Sequence, residues 1–225
     1  MVPFSFAGEE MRIAQGRALY WPREQALLVA DLHLEKASFF ASHGQMLPPY
    51  DSRETLERVA LAIRETGARR VFALGDNFHD GKGSVRLEPH AAGMLNALTR
   101  ATEWVWITGN HDAGMTTAAG GVLTDEMEVG GMILRHKAHS GETRPELSGH
   151  FHPRLTVAAR GRRIARPCAV KSERRMILPA FGALTGGMDA ADPAILSAMQ
   201  PAAAIDAVLP AAGRLLHYPL WRAAA

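Results

Sequence analysis

Four short clusters of aspartate, asparagine and histidine hold the residues of this sequence that are best suited to chemistry. They are Asp31-Leu32-His33, Gly75-Asp76, Gly109-Asn110-His111-Asp112 and Gly149-His150-Phe151-His152. Histidine nitrogens combined with carboxylate and amide oxygens form a mixed ligand set that suits manganese, iron or zinc. A lone histidine at a strand end is more often simply hydrogen-bonded, but four such clusters in one chain predict a metal site.

Two of the clusters separate their polar side chains by two residues. In an extended chain, residues i and i+2 point to the same side. If the chain stays extended there, Asp31 with His33, and His150 with His152, would each present two metal ligands together.

The clusters lie just beyond predicted strands. Apolar runs predict strands at Ala26–Asp31, Arg70–Leu74 and Glu103–Thr108, and helices are predicted from Asp51 to Gly67 and over Arg86–Arg100. This alternation predicts an α/β architecture with parallel strands buried on both faces. Ligands bind beyond the carboxyl ends of such strands, so the four clusters are expected to converge there.

Strands dominate the rest of the chain, beginning with one predicted around Arg12–Trp21. The later strands are Thr124–Val129 and Met132–His136, which form a hairpin, then Arg154–Ala159, Ile164–Val170, Arg174–Leu178, Ala204–Leu209 and Arg214–Leu220. In the first predicted helix, Asp51 and Glu54 form a capping pair and Gly67 ends the helix. One domain over residues 1–225, containing two sheets, is expected.

Composition predicts a globular protein rather than a fibre or a disordered chain. Of 225 residues, 47% are hydrophobic and 21% charged, enough apolar surface for a sizeable core. The single cysteine, Cys168, excludes an internal disulfide and an all-cysteine zinc site. Neither a secretion signal nor an apolar run of about 20 residues is present, so a cytoplasmic location without a membrane partner is expected.

The order D-x-H, GD, GNHD, a further histidine and GH-x-H resembles the calcineurin-like binuclear metallophosphoesterase family, over Asp31 to His152. This resemblance implies a two-sheet β-sandwich flanked by helices and two divalent metal ions, which activate a water for attack on phosphorus. It implies that one ion is held by Asp31, His33 and His152, the other by Asn110, His150 and the further histidine, and that Asp76 bridges both.

The further histidine should end a strand between the third and fourth clusters. His136, which closes the run Met132–Arg135, fits that place, and His139 is the alternative. By the same resemblance, His111 would assist the leaving group without binding metal. Asp112 would either orient the His111 imidazole or cap a loop.

More local stretches resemble one bacterial subfamily, the ligase-associated DNA damage response endonucleases. They are residues 44–51, 75–80, 135–136, 149–153, 166–168 and 178–187. This resemblance implies a manganese-dependent endonuclease that cleaves single-stranded DNA, with DNA-repair proteins of the same gene cluster as partners. Iron or zinc would also suit the ligands.

Basic residues near the last cluster are the further candidates for substrate binding. Between Arg154 and Arg175 lie eight basic residues and one acidic residue, which would either follow a phosphate backbone or decorate the solvent face of a hairpin. The individual candidates are Arg53, His79, Asp80 and Arg154. Aromatic residues for base stacking are scarce in this basic segment, and Trp104 and Trp106 are predicted to be core residues.

Two other functions are compatible with these motifs. A nucleotide pyrophosphatase or phosphomonoesterase would use the same metal site, because the ligand pattern does not define the ester. A binding module that keeps the fold without catalysis would usually have lost ligands, whereas every expected ligand type is present here.

Overall fold

The computed structural model describes residues 1–14, 17–115, 120–159 and 161–224. Its first sheet has seven strands that neighbour one another in chain order. They are β1 (Val2–Phe6), β2 (Glu9–Ile13), β3 (Leu19–Trp21), β4 (Ala26–Val29), β5 (Arg70–Leu74), β6 (Glu103–Ile107) and β7 (Val122–Thr124). Strands β1 to β4 are antiparallel, and β4 to β7 are parallel.

The second sheet also has seven strands, in the order β16-β15-β13-β14-β10-β9-β8, and it is mixed. Their bounds are β8 (Glu126–Val129), β9 (Met132–Arg135), β10 (Glu146–Ser148), β13 (Ala169–Lys171), β14 (Arg175–Ile177), β15 (Ala204–Ala211) and β16 (Arg214–Arg222). Strand β10 pairs in parallel with both β9 and β14. A separate hairpin joins β11 (Arg154–Ala159) to β12 (Arg162–Pro167).

The two sheets pack face to face. Leu28 and Phe72 of the first sheet belong to one buried cluster with Leu134 and Met176 of the second. Such a core follows from strands whose alternate residues face inward.

The outer faces of both sheets are covered by helices. Helices α1 (Lys36–Ser42), α2 (Asp51–Thr66), α3 (Gly83–Arg86) and α4 (Pro89–Ala101) follow strands of the first sheet, and α5 (Pro193–Ala198) precedes β15. Leu27 and Trp106 pack with Leu56 of α2 and Leu95 of α4. The β-sandwich flanked by helices is therefore confirmed, and Trp104 and Trp106 are core residues. No described helix is long and apolar enough to cross a membrane.

Helix α2 matches its prediction at both ends but not in its cap. Gly67 follows the helix with φ 69°, which is the left-handed conformation that glycine adopts readily. The prediction that Asp51 and Glu54 form a capping pair is wrong. Tyr50 holds the N-cap position, and no side-chain hydrogen bond caps the helix there. The Asp51 carboxylate instead accepts a hydrogen bond from the Ala37 amide of α1 at 3.0 Å.

Several other predicted elements differ in the structure; for example, the predicted strand Thr124–Val129 is divided between the end of β7 and β8. The run Arg12–Trp21 forms two antiparallel strands, β2 and β3, and its residues 15–16 lie outside the described residues. Ile164–Val170 passes from the β11–β12 hairpin into the second sheet, and its β12 part ends at Pro167. The helix predicted from Arg86 begins at Pro89, because Glu88 caps it by accepting bonds from two backbone amides.

Candidate active site

The predicted ligands converge at one end of the sandwich. Asp31 and His33 follow β4, Asp76 follows β5 and Asn110 follows β6, so three parallel strands of the first sheet deliver them. His136 follows β9, and His150 and His152 follow β10 of the second sheet. The site therefore lies where both sheets end, as expected for the carboxyl ends of parallel strands.

One group of donor atoms is formed by Asp31, His33, Asp76 and His152. The Nε2 atoms of His33 and His152 lie 3.3 Å apart. His152 Nε2 is 3.4 Å from Asp31 Oδ1, and His33 Nε2 is 3.7 Å from Asp76 Oδ2.

A second group of donor atoms includes Asp76, His136 and His150. Asn110 Oδ1 lies 3.0 Å from His136 Nε2 and 3.1 Å from His150 Nδ1, and the two ring nitrogens are 3.1 Å apart. His136 Nε2 is also 3.4 Å from Asp76 Oδ1. Asp76 therefore offers one oxygen to each group, which is the position of a bridge.

Of the two alternatives for the further histidine, the structure places His136 in the second group. Its Nδ1 lies 3.0 Å from the carbonyl oxygen of Leu74, and its Nε2 is directed at Asn110 and Asp76. His139 uses its backbone to bond Glu146 and Arg175, and its ring joins neither group.

Burial and charge of the site fit divalent cations. Asp31 and Asp76 are almost completely buried, and neither forms an ion pair with a lysine or arginine among the described residues. Buried carboxylates need a compensating positive charge. Burial, and next the charge of His152, lowers the pKa of His33 to about 2, so its imidazole is neutral and free to bind metal.

The backbone at the site is not extended, contrary to the i, i+2 expectation. Asp31, His33, Asp76, His150 and His152 all have φ between +43° and +75°. As a result, His150 and His152 point into different groups rather than sharing one. A left-handed residue other than glycine costs on the order of 1–3 kcal/mol, and such strain is typical of functional sites.

Glycines next to the ligands allow this close packing, and their role was not recognised in the sequence. A Cβ added to Gly109 would overlap the amide nitrogen and Oδ1 of Asp76, and one added to Gly75 would overlap the His136 ring. The signal was present, since each ligand cluster except the first begins with glycine.

His111 lies beside these two donor groups and belongs to a further cluster of ring nitrogens with His33 and His79. Its side chain is 38% exposed, and its Nε2 lies 4.0 Å from Asp76 Oδ2. Its Nδ1 lies 2.8 Å from the carbonyl oxygen of His79 and its backbone amide donates to Asp76 Oδ1 at 3.0 Å. The ring is therefore held with Nε2 directed toward the bridging carboxylate.

Asp112 braces the loops and does not orient His111. Its carboxylate accepts bonds from the amides of Gly109 at 2.8 Å and Phe78 at 3.1 Å, and from both the amide and the side chain of Asn77. No bond to the His111 ring is present among the described residues. Of the two roles predicted for Asp112, its contacts are those of the loop cap.

The four substrate candidates have different surroundings. His79 lies at the site, with Nδ1 3.4 Å from His33 Nδ1. Asp80 forms an ion pair with Arg86, and Arg53 is exposed and bonds Glu57 one helical turn away at 2.9 Å. Arg154 follows the His152 loop and its guanidinium donates to a backbone carbonyl.

Arg17 is a basic residue near the site that was not predicted from the sequence as a substrate-binding candidate. Its Nη1 donates to the carbonyl oxygen of Ala180 at 2.8 Å, and the following amide, that of Phe181, bonds the carbonyl of Ala30 beside Asp31. Burial lowers the pKa of Arg17, and the nearby charges of Arg58 and Arg154 lower it further. Arginines from three separate segments thus lie close together.

Comparisons with known proteins agree with this geometry. Residues 25–154, more than half of the chain, match the family described as calcineurin-like phosphoesterase. The structure resembles the crystal structure of the Pseudomonas putida nuclease MPE, with 30% sequence identity, a TM-score of 0.73, and coverage of 96% of this chain and 98% of that chain. No match was found among curated proteins.

Two further solved structures are more distant. A protein of unknown function from Aquifex aeolicus is 14% identical at a TM-score of 0.40, covering 56% of this chain and 77% of that one. Yfce, a phosphoesterase from E. coli, is 13% identical at a TM-score of 0.37, covering 72% and 83%.

The family and the class of reaction predicted from the motifs are therefore confirmed. The enzyme is a hydrolase of phosphoester bonds that depends on divalent metal, and its buried histidines and aspartates offer candidate positions for the ions. The chain belongs to the calcineurin-like phosphoesterase family.

Proposed function

We propose that this enzyme is a two-metal phosphodiesterase that cleaves single-stranded DNA internally, with manganese as its metal. Two bound metal ions are supported by the two donor groups that share Asp76. The carboxylates of Asp31 and Asp76 are buried, and neither pairs with a lysine or arginine among the described residues. The nuclease part is supported by the resemblance to MPE over nearly the whole chain. A role in DNA repair beside other repair proteins is supported by the local motifs of residues 44–51 and 178–187.

In this proposal the ligands divide as the donor groups do. Asp31, His33 and His152 hold one ion, Asn110, His136 and His150 hold the other, and Asp76 bridges them. The ions, when bound, would lower the pKa of a water molecule and polarise the phosphoryl oxygens. Nitrogen and oxygen donors of this kind suit manganese, and iron or zinc as well.

His111 is proposed to assist the leaving group. Because Nδ1 is held by the carbonyl of His79, Nε2 is the ring atom that can reach substrate. From there it would hydrogen-bond or protonate the departing oxygen, a contribution of about 10²–10⁴-fold in general acid catalysis.

Basic side chains beside the site favour a polyanionic substrate. Arg17 and Arg154 form no ion pair with a carboxylate among the described residues, although Arg58 pairs with Glu54. The exposed strand β12 adds Arg162, Arg163 and Arg166, while Arg160 lies outside the described residues. Arginine arrays of this kind bind phosphate backbones without regard to sequence.

The test is cleavage of a circular single-stranded DNA with manganese, beside a chelated sample and a duplex circle. A circle has no ends, so manganese-dependent linearisation of the single-stranded circle is expected only from an endonuclease. If both circles stay intact while a small aryl diester is hydrolysed, the DNA assignment is wrong and the substrate is a nucleotide ester.

A further inference from the structure

Helix α1 carries a group of aromatic side chains that does not belong to the core. The rings of Phe39 and Phe40 are 5.6 Å apart, and those of Phe39 and His43 are 4.5 Å apart. Both phenylalanines are only partly buried, and neither is a member of the three hydrophobic clusters of the described residues. Apolar rings left beside solvent in this way commonly mark a binding surface.

These rings are continuous with the candidate active site. Phe40 stacks on His79 with ring centroids 5.6 Å apart and an interplanar angle of 27°, and Phe39 meets His79 edge to face at 4.8 Å. His79 in turn stacks on His111 at 5.1 Å and 21°. A path of aromatic rings therefore leads from α1 to the histidine that faces the leaving group.

A groove of about 620 Å³ opens beside this path. Phe39 and His43 line it on the α1 side, and Asp80, Lys82 and Arg86 line it on the other. The charge of Asp80 is balanced by its ion pair with Arg86, and Lys82 forms no ion pair within the described part of the chain. The groove therefore combines flat apolar rings with a free positive charge.

We propose that Phe39, Phe40 and His43, which we call the α1 platform, stack an unpaired nucleobase on the leaving-group side of the scissile phosphate. The proposal rests on the proposed function, since it needs a nucleic-acid substrate. Phosphates that flank the stacked base would lie near Lys82. Stacking on aromatic side chains is independent of base identity, so the platform adds affinity without sequence preference.

The α1 platform gives a physical reason for a preference for single strands. In a duplex, both faces of each base are already covered by neighbouring base pairs, so stacking on Phe39 or Phe40 would require a base to leave the helix. That step costs free energy in duplex DNA and much less in a single strand.

The test compares two strands of equal length and charge. One is an oligothymidylate, and the other has a tetrahydrofuran abasic unit at every position, so that only the bases are missing. With manganese, we expect kcat/KM of the natural enzyme to be about 5- to 100-fold lower for the abasic strand, as expected for loss of base stacking. In the double variant Phe39→Leu/Phe40→Leu, the ratio of kcat/KM for the oligothymidylate to kcat/KM for the abasic strand should fall toward one.

Two further variants support the comparison. Tyr218→Leu, on β16 of the second sheet, removes a partly exposed aromatic ring far along the chain and should keep the ratio of the natural enzyme. His43→Leu alters an exposed side chain of the platform and should lower the ratio in part, even if the double variant does not fold.

The outcomes separate the two proposals. Equal cleavage of both strands by the natural enzyme, or an unchanged ratio in the platform variants, overturns the α1 platform and leaves the proposed function standing. If the natural enzyme cleaves neither strand but hydrolyses a small aryl diester, the DNA assignment fails, and the platform fails with it.

Discussion

At the scale of single residues, variants of Asp76 and His111 distinguish metal binding from assistance of the leaving group. His111 Nε2 lies 4.0 Å from Asp76 Oδ2, but His111 belongs to neither of the two donor groups that contain Asp76. We expect His111→Ala to keep both ions and to lose about 10²–10⁴-fold in turnover. Asp76→Ala should lose metal as well as activity.

Metal content per chain and hydrolysis of a small aryl diester, measured on the same samples, check this difference. Arg144→Ala provides a control, because Arg144 is exposed, pairs with Glu128 and Glu142, and precedes β10, whereas His150 and His152 follow that strand. Full activity of the His111 variant would show that the assigned role is wrong.

The Cys168 thiol is expected to be unreactive in the folded enzyme. It is 1% exposed, and burial raises the pKa of its thiol to about 12, so almost no thiolate exists at neutral pH. Alkylation by iodoacetamide should therefore be negligible in the folded enzyme and complete after denaturation, as followed by mass spectrometry. Rapid modification of the folded enzyme would mean that the connection between β12 and β13 is exposed.

At the scale of the elements, the loops after the strands depend on glycine. The space beside Gly109 is occupied by Asp76, so Gly109→Ala should displace the bridging carboxylate and lose metal and most activity. Gly93 provides the matched control, since it lies on the exposed face of α4 with nothing within 4 Å of an added Cβ.

We expect Gly93→Ala to raise the free energy of unfolding by about 0.5–1 kcal/mol, because alanine is the better helix former. Urea unfolding and diester hydrolysis measure the two effects. Normal metal content in the Gly109 variant would contradict the packing argument.

The elements that could not be predicted from the sequence, such as α1, are those without a periodic hydrophobic pattern. Helix α1 has only seven residues and follows Glu35, whose φ of 63° is left-handed. It is fixed by tertiary bonds: the Glu35 amide donates to Ser52 Oγ, and the Ser52 hydroxyl donates to the Glu35 carboxylate. No local signal encodes these contacts, whereas the 16-residue α2 shows both helical periodicity and a glycine stop.

At the scale of the whole molecule, Arg17, Arg58 and Arg154 come from segments far apart in sequence, yet they lie near enough for their charges to interact. If Arg17, Arg58 and Arg154 bind phosphates, each substitution by Gln should weaken binding of single-stranded DNA. It should also reduce the slope of log K against log salt by about 0.7 for each phosphate that the variant no longer neutralises. Fluorescence anisotropy over a range of salt concentrations measures this slope. Arg144→Gln, which removes an exposed arginine paired with Glu128 and Glu142, should leave the slope unchanged. An equal decrease in that control would rule out a specific surface.

The metal ligands could be predicted from the sequence because their motifs occur in the order of the resembled family and most of them follow predicted strands. The strand β10, which precedes His150 and His152, was not predicted. Their geometry could not, since His150 and His152 have left-handed backbone conformations and the His150 amide donates at 3.0 Å to Asp31, which is distant in sequence. The closeness of Arg17 to Arg154 depends in the same way on the packing of the complete sandwich.

The central claim is that two ions bind at the shared carboxylate and that hydrolysis requires both. It is tested most directly by titrating manganese into metal-free enzyme while following the hydrolysis of a small aryl phosphodiester. We expect two ions per chain at saturation, no turnover in the chelated enzyme, and recovery of activity as the second ion binds. Undiminished turnover without metal, or saturation at one ion with full activity, would contradict it.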